Sequence, residues 1–288
     1  MTSRVEPLRL DRMAVEEVGS NPERLAAAIH DQIAIKQGSV PVEAIARALD
    51  IAEIRRAETR GLEGALVAPP ERGYGAILVN GRASPTRQRF TIAHELGHFL
   101  NIYHKPRHPG GFACTAGDLK IPWNMRPGNV LADRMQEAQA NRFAIELLAP
   151  AHLMVSGLRG IADLDAVLTL ARTLEISREA CARRWVELRE GAVAVVFSKE
   201  GMVRYTERGA GFPFVNLRPG DRLPAVPAAA GSEGLSIHEE ADSREWLAGP
   251  RCNTLVIQTL HQREGFTMTL LAFDETDPPE TDDGTGRE

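Results

Sequence analysis

The sequence predicts an α+β protein with more than one domain, and three observations carry that expectation. The chain has 288 residues, 43% of them hydrophobic, which suits about two domains of ~150 residues and more than one core. Residues 65–80, ALVAPPERGYGAILVN, read as two short strands joined by a Pro/Gly turn and lead directly into a helical pattern. After residue 190 a second group of strand-like runs begins, separated from the first by a long helical stretch.

Taken in order, residues 1–20 (MTSRVEPLRLDRMAVEEVGS) mix charges through every turn and lack the apolar stretch of a signal peptide. Residues 22–35 (PERLAAAIHDQIAI) and 41–50 (PVEAIARALD) have helical spacing and opening prolines. The strand pair of 65–80 closes on Asn80-Gly81, a turn dipeptide. The helical pattern of 85–102 follows, then an irregular insert over 105–131 containing Trp123, then a second strong helix over 132–148 that stops at Ala149-Pro150. The helical stretch 162–190 follows, and then GAVAVVFS, GMVRYTE, NTLVIQTLH and FTMTLLAF read as strands. A Pro/Ala/Gly-rich connection, 217–234, interrupts these strands, and no internal repeat is present.

Charge and cysteine usage exclude several classes. The last fifteen residues hold seven acids and one arginine, a net of −6, which leaves about +1 on the rest of a chain whose total is −5. The tail, 276–288, is expected to be disordered. A body without basic excess speaks against DNA binding. Cys114, Cys181 and Cys252 are odd in number and far apart, so neither a disulfide framework nor a cysteine metal site is expected. No run approaches the ~18 apolar residues of a membrane span. The expectation is a soluble, cytoplasmic protein without membrane contact.

The chemistry concentrates in TIAHELGHFLNIYH, residues 91–104. His94, Glu95 and His98 form an H-E-x-x-H motif. Residues four apart share a helix face, so the two imidazoles can take two corners of one tetrahedral ion. Glu95, one position round from His94, is placed to act as a general base on a water beside that ion. Phe90, Ile92, Leu96, Phe99 and Leu100 supply an apolar face to hold such a helix in a core. Two strands followed by this helix are the order expected of a zincin-like site. The strand 75–80 is expected to form a sheet edge beside the helix and pair with an extended substrate.

A catalytic zinc usually takes three protein ligands and one water. His104 stands at the third-ligand spacing of H-E-x-x-H-x-x-G-x-x-H. Six helical residues turn through about 600°, so it would point away unless the helix breaks. The breaking glycine is replaced by Asn101, a poorer left-handed residue. The other role for His104 is a surface or substrate-side histidine near the helix end, and with Tyr103 it is a candidate oxyanion or substrate-side group. Glu137, 39 residues after His98 in a strong helix, is the better third ligand on position, with Asp133 and Glu146 also available. Asn141, four residues on, can bond the outer nitrogen of a ligand histidine.

TIAHELGHFL followed by EAQANRFAIELLAP resembles the ImmA/IrrE family of metallopeptidases. Glu137, Ala140, Asn141, Phe143, Ala144, Leu147, Leu148 and Pro150 match that family's second motif, and the likeness covers roughly residues 35–155. It implies His94, His98 and Glu137 as metal ligands and Glu95 as general base. It also implies a protein substrate, an XRE-type helix-turn-helix repressor. Zn2+ suits the ligand set, and Mn2+ or Fe2+ remain open on ligand type.

Residues 163–188 read as helix-turn-helix-like, with Ser177 capping the second helix. A connector packing Trp185 and Leu188 is the favoured reading. The C-terminal strands match, in layout alone, the three-domain IrrE branch: protease, helix-turn-helix-like segment, GAF-like sensor with a small-molecule or signal ligand. The expected division is 1–155, 156–190, 191–275 and the tail. A non-proteolytic regulator that binds DNA or a protein partner is the alternative function.

Overall fold

The computed structural model describes residues 7–106, 111–125, 131–229, 231, 233–248 and 254–273. These fall into two compact units. The first runs to Leu153 and includes Ala171–Ser177; the second takes Met154–Leu170 and the described residues from Arg178 onward. The acidic tail lies outside the described residues.

The first unit opens with three short helices, α1 (Arg12–Glu17), α2 (Pro22–Gln32) and α3 (Val42–Ala48). Asn21 caps α2 by accepting from the Arg24 amide, and Pro22 takes the first helical position, where a missing N–H costs nothing. The strands β1 (Ile51–Ala57), β2 (Gly64–Val67), β3 (Gly75–Asn80) and β4 (Phe112–Cys114) form one sheet in the order β1-β3-β2-β4. β1 runs parallel to β3, whereas β2 runs antiparallel to both β3 and β4.

This order corrects the expected docking edge. β3 is interior, paired on both sides, and β4, from the segment expected to be irregular, stands at the edge. β3 alternates buried and half-buried residues along GAILVN, as suits an interior strand with one face on the core.

Helix α4 (Pro85–Leu100) starts at Ser84, whose hydroxyl accepts from the Arg87 amide. Every residue from Thr91 to Leu100 is buried, because α4 packs against α3, the sheet and the long helix α5 (Ala132–Leu148). Ile92, Leu96, Phe99 and Leu100 contribute about 1.5–3 kcal/mol each on full burial. Gly97 lets α4 and α5 approach: a Cβ there would stand 2.9 Å from the Phe143 ring. Gly64 on β2 does the same opposite the helix, since its Cβ would meet Thr91 at 2.3 Å and Glu95 at 3.0 Å.

Helices α6 (Ala151–Leu158), α7 (Leu164–Leu174) and α8 (Arg178–Leu188) follow. Leu164, Val167, Leu170, Ala171 and Leu174 make the buried stripe of α7. Glu175, at φ +53, turns the chain into α8.

The second unit holds β5 (Val193–Lys199), β6 (Met202–Arg208), β7 (Gly234–Leu235), β8 (Glu239–Ala241), α9 (Ser243–Trp246), β9 (Leu255–His261) and β10 (Phe266–Phe273). The sheet order is β6-β5-β10-β9-β7 with β8 also on β9, antiparallel throughout. Glu200 and Gly201 both take positive φ, the two-residue turn whose twist suits the β5–β6 hairpin. Ala194, Val196, Val203, Phe212, Trp246, Leu255 and Leu271 form its core.

Candidate metal centre

Helix α4 presents His94, Glu95 and His98 from one buried turn, and α5 lays Glu137 across them. Glu137 Oε2 lies 3.2 Å from His94 Nε2 and 3.4 Å from His98 Nε2, and the two Nε2 atoms are 3.2 Å apart. A tetrahedral ion with bonds of ~2.0–2.1 Å has donor atoms about 3.3 Å apart along each edge. The three atoms therefore already stand as one face of such a tetrahedron.

The outer nitrogens are held as well. His94 Nδ1 is 2.9 Å from Asn141 Oδ1. Asn141 Nδ2 donates to the Asp118 and Ile121 carbonyls at 2.9 and 3.0 Å, which fixes the amide with its oxygen toward the imidazole. His94 must then carry its proton on Nδ1 and turn the Nε2 lone pair inward. Behind His98, Phe112 of β4 stacks on the ring at 4.6 Å between centroids.

Charge follows the same geometry. Burial opposes ionisation of Glu137, but its close contacts with the His94 and His98 rings outweigh it and hold the carboxyl well below the usual range. Burial likewise favours neutral His94, yet Glu137 and Glu95 raise its pKa. His98 is lowered to about 4, chiefly by burial.

Glu95 is fully buried, and burial pushes its pKa up to about 7. Its two oxygens lack a well-aligned hydrogen-bond partner among the described residues, with the Cys114 thiol adding a weak favourable contact. A buried carboxylate left without donors is costly as structure and suits a group that handles a proton.

A second grouping, His94, Glu95 and Cys114, also lies within ligand reach of one another. It fits a metal less well. It draws both carboxylate and histidine donors from one end of the site and leaves out His98 and Glu137, whose atoms already share the tetrahedral face. Ligation there would also occupy the base.

Two residues stand elsewhere than expected. Asn101 ends α4 in an extended conformation, φ −84° and ψ 96°, not the left-handed one. The chain then folds back and buries His104 behind His98, Nδ1 to Nδ1 at 2.9 Å, away from the inward Nε2 face. His104 is therefore neither a metal ligand nor on the surface, which corrects its expected substrate-side place. Tyr103 is 70% exposed, and its amide donates to Asn101 Oδ1.

Arg72 escaped sequence analysis. Its buried guanidinium donates to the carbonyls of His98, Phe99, Asn101 and His104, closing the end of α4. The donors and acceptors lie 26 to 32 residues apart in sequence, so no local pattern signals the contact. Described residues of the 105–131 insert pack around the donor set. Beyond β4 it supplies the Asp118 and Ile121 carbonyls, and it buries Trp123.

Residues 66–186 match the model of peptidase family M78, described as the IrrE N-terminal-like domain. The chain carries an IrrE N-terminal-like domain. Its match spans both motif helices, α4 and α5. A solved Mycobacterium tuberculosis transcriptional regulator is similar at a TM-score of 0.46 and 15% identity, over 91% of this chain and 76% of that one. No curated protein matches the chain. Among the described residues no helix is long and apolar enough to cross a membrane.

Within the IrrE N-terminal-like domain, the donor set can hold a divalent cation, and Glu95 beside it can take up and release a proton near neutral pH.

Proposed function

We propose that this protein is a metal-dependent endopeptidase of zincin-like fold, working in the cytoplasm, whose ion is held by His94, His98 and Glu137. The tetrahedral-face spacing of the three donor atoms carries this reading. Two imidazoles and a carboxylate suit Zn2+, with Mn2+ or Fe2+ also compatible. When bound, the ion supplies Lewis acidity, polarising the scissile carbonyl and acidifying a neighbouring water. Glu95 accepts the proton of the attacking water and returns it to the leaving amine. Asn141 keeps His94 in the tautomer that can ligate. Glu95 is fully buried, against Gly64 of β2 and Cys114 of β4.

An extended substrate segment would pair with β4. Among the described strands β4 pairs only with β2, and its Phe112 and Cys114 adjoin His98 and Glu95. Sheet-edge pairing holds a peptide through its backbone and leaves selectivity to side-chain pockets. The substrate is an XRE-type helix-turn-helix repressor, cut in a mobile linker where local opening is easy. Separating its DNA-binding part from its dimerising part weakens operator binding, because the two half-sites no longer act together. In this reading 156–190 is a connector and the second unit's antiparallel sheet a GAF-like module that receives a signal.

The test is incubation of metal-loaded protein with candidate repressors, reading fragments by mass spectrometry and operator binding by gel shift. Cleavage is expected from the native protein and not from Glu95→Gln with its metal retained. Full cleavage by Glu95→Gln overturns the assignment of the base. If no repressor is cut under any metal while the protein itself shifts operator DNA, it acts as a DNA-binding regulator.

A further inference from the structure

We propose that β1 is the surface through which two copies of this chain associate, pairing edge to edge and antiparallel about a two-fold axis at Ile54. β1 ends the first unit's sheet, on the side away from β4, and among the described residues it pairs only with β3. A strand of seven residues with one side open offers its backbone groups to another strand.

The hydrogen bonds show which groups are open. The Gly81 amide donates to the Ala57 carbonyl, and along a ladder alternate residues bond the same neighbour. Glu53, Arg55 and Ala57 therefore turn their N–H and C=O to β3, and Ile54 and Arg56 turn theirs outward. Among the described residues no backbone hydrogen bond reaches those outward groups. The side chains divide the same way. Ile54 and Arg56 stand opposite the buried Ile77 and Val79, on the face covered by helices, and Arg56 is already paired with Glu43 and Gln88. Glu53 and Arg55 stand on the other face, both exposed, and neither has an ion-pair partner among the described residues.

These charges select the occupant and the register. A pair centred on Ile54 sets Glu53 directly across from Arg55 of the second copy, and Arg55 across from its Glu53. Both fall at positions without hydrogen bonds, where facing side chains come closest. Ile54 exchanges two N–H···O bonds with its own copy, and Arg56 meets the small Ala52. A pair centred on Arg55 or Arg56 sets like charges face to face. The stretch IAEIRRA is thus self-complementary about one residue, as an isologous contact requires. The register shift between Ile51 and Glu53 limits the pairing at that end. A contact of one strand pair is small beside the roughly 1,200 Å² of a stable interface, so the dimer is a reversible one. Two four-stranded sheets become continuous, with both β4 edges outermost.

The test is sedimentation velocity on the full-length chain, a readout that does not involve the metal centre or peptide cleavage. The native protein is expected to pass from monomer towards dimer between about 1 µM and 1 mM. Arg55→Glu sets two carboxylates face to face at each pair, and Glu53→Arg sets two guanidinium groups face to face. Each should weaken association by about 10-fold or more. The double change, Glu53→Arg with Arg55→Glu, restores opposite charges across the axis and should recover most of the loss. Melting curves of all three variants should match the native chain, since both side chains are exposed. A chain that stays monomeric across the whole range overturns the proposal. A dimer indifferent to both single reversals also overturns it, because the contact then lies elsewhere. So does a double change that associates no better than the single ones, because Glu53 then does not face Arg55.

Discussion

At the scale of single residues, Glu95 gives the sharpest expectation because its environment is unfavourable to the charge it must carry. In the metal-free protein burial raises its pKa to about 7, against ~4.3 in an unfolded chain. Between those values the folded state binds more protons than the unfolded state, so this group's contribution to stability declines as pH rises through the window. Replacing it by a neutral isostere removes the penalty. Metal-free Glu95→Gln should be more stable than the native chain at pH 8 by about 1–3 kcal/mol, with the gap closing below pH 5. Urea midpoints at the two pH values check this, and an equal gap at both would contradict it. Glu137 has the opposite sign. Its lowered pKa stabilises the fold above the usual carboxylate range and is lost on acidification. Removing its side chain should leave two imidazoles unable to retain an ion through dialysis.

At the scale of elements, the site depends on how closely α4 and α5 approach. Gly97→Ala would drive a methyl to 2.9 Å from the Phe143 ring, and overpacking of this kind costs about 1–3 kcal/mol. It should also weaken metal binding, since it moves the histidine helix away from Glu137. The double change Gly97→Ala with Phe143→Leu should recover part of both, and neutrality of Gly97→Ala would show that the helices can separate freely. What the sequence made legible here follows from locality. The H-E-x-x-H helix, the Glu137/Asn141 pair and the strands 64–67 and 75–80 all declare themselves by spacing within one element. β1 was missed because IAEIRRA carries three charges and exposes most of its residues at a sheet edge. β4 was missed because three residues cannot show a period. The place of His104 turned on the backbone conformation of Asn101 and on Arg72, a contact across more than two dozen residues, and neither has a local signature.

At the scale of the whole molecule, the chain has two compact units, and among the described residues both groupings of donor atoms lie in the first. Metal binding should therefore stabilise the first unit alone, by about 2.7 kcal/mol at a free ion concentration of a hundred times Kd. Calorimetry with and without chelator should show one transition that moves and one that does not. A single transition moving as a whole would mean that the two units unfold together. Which atoms hold the ion is open to direct observation by X-ray absorption at the zinc edge on the loaded, full-length protein. The expected spectrum has nitrogen and oxygen neighbours at ~2.0–2.1 Å, with the outer-shell scattering of two imidazoles. A sulfur shell at ~2.3 Å would contradict it, placing the ion on Cys114 with His94 and Glu95 and leaving the chain without its base.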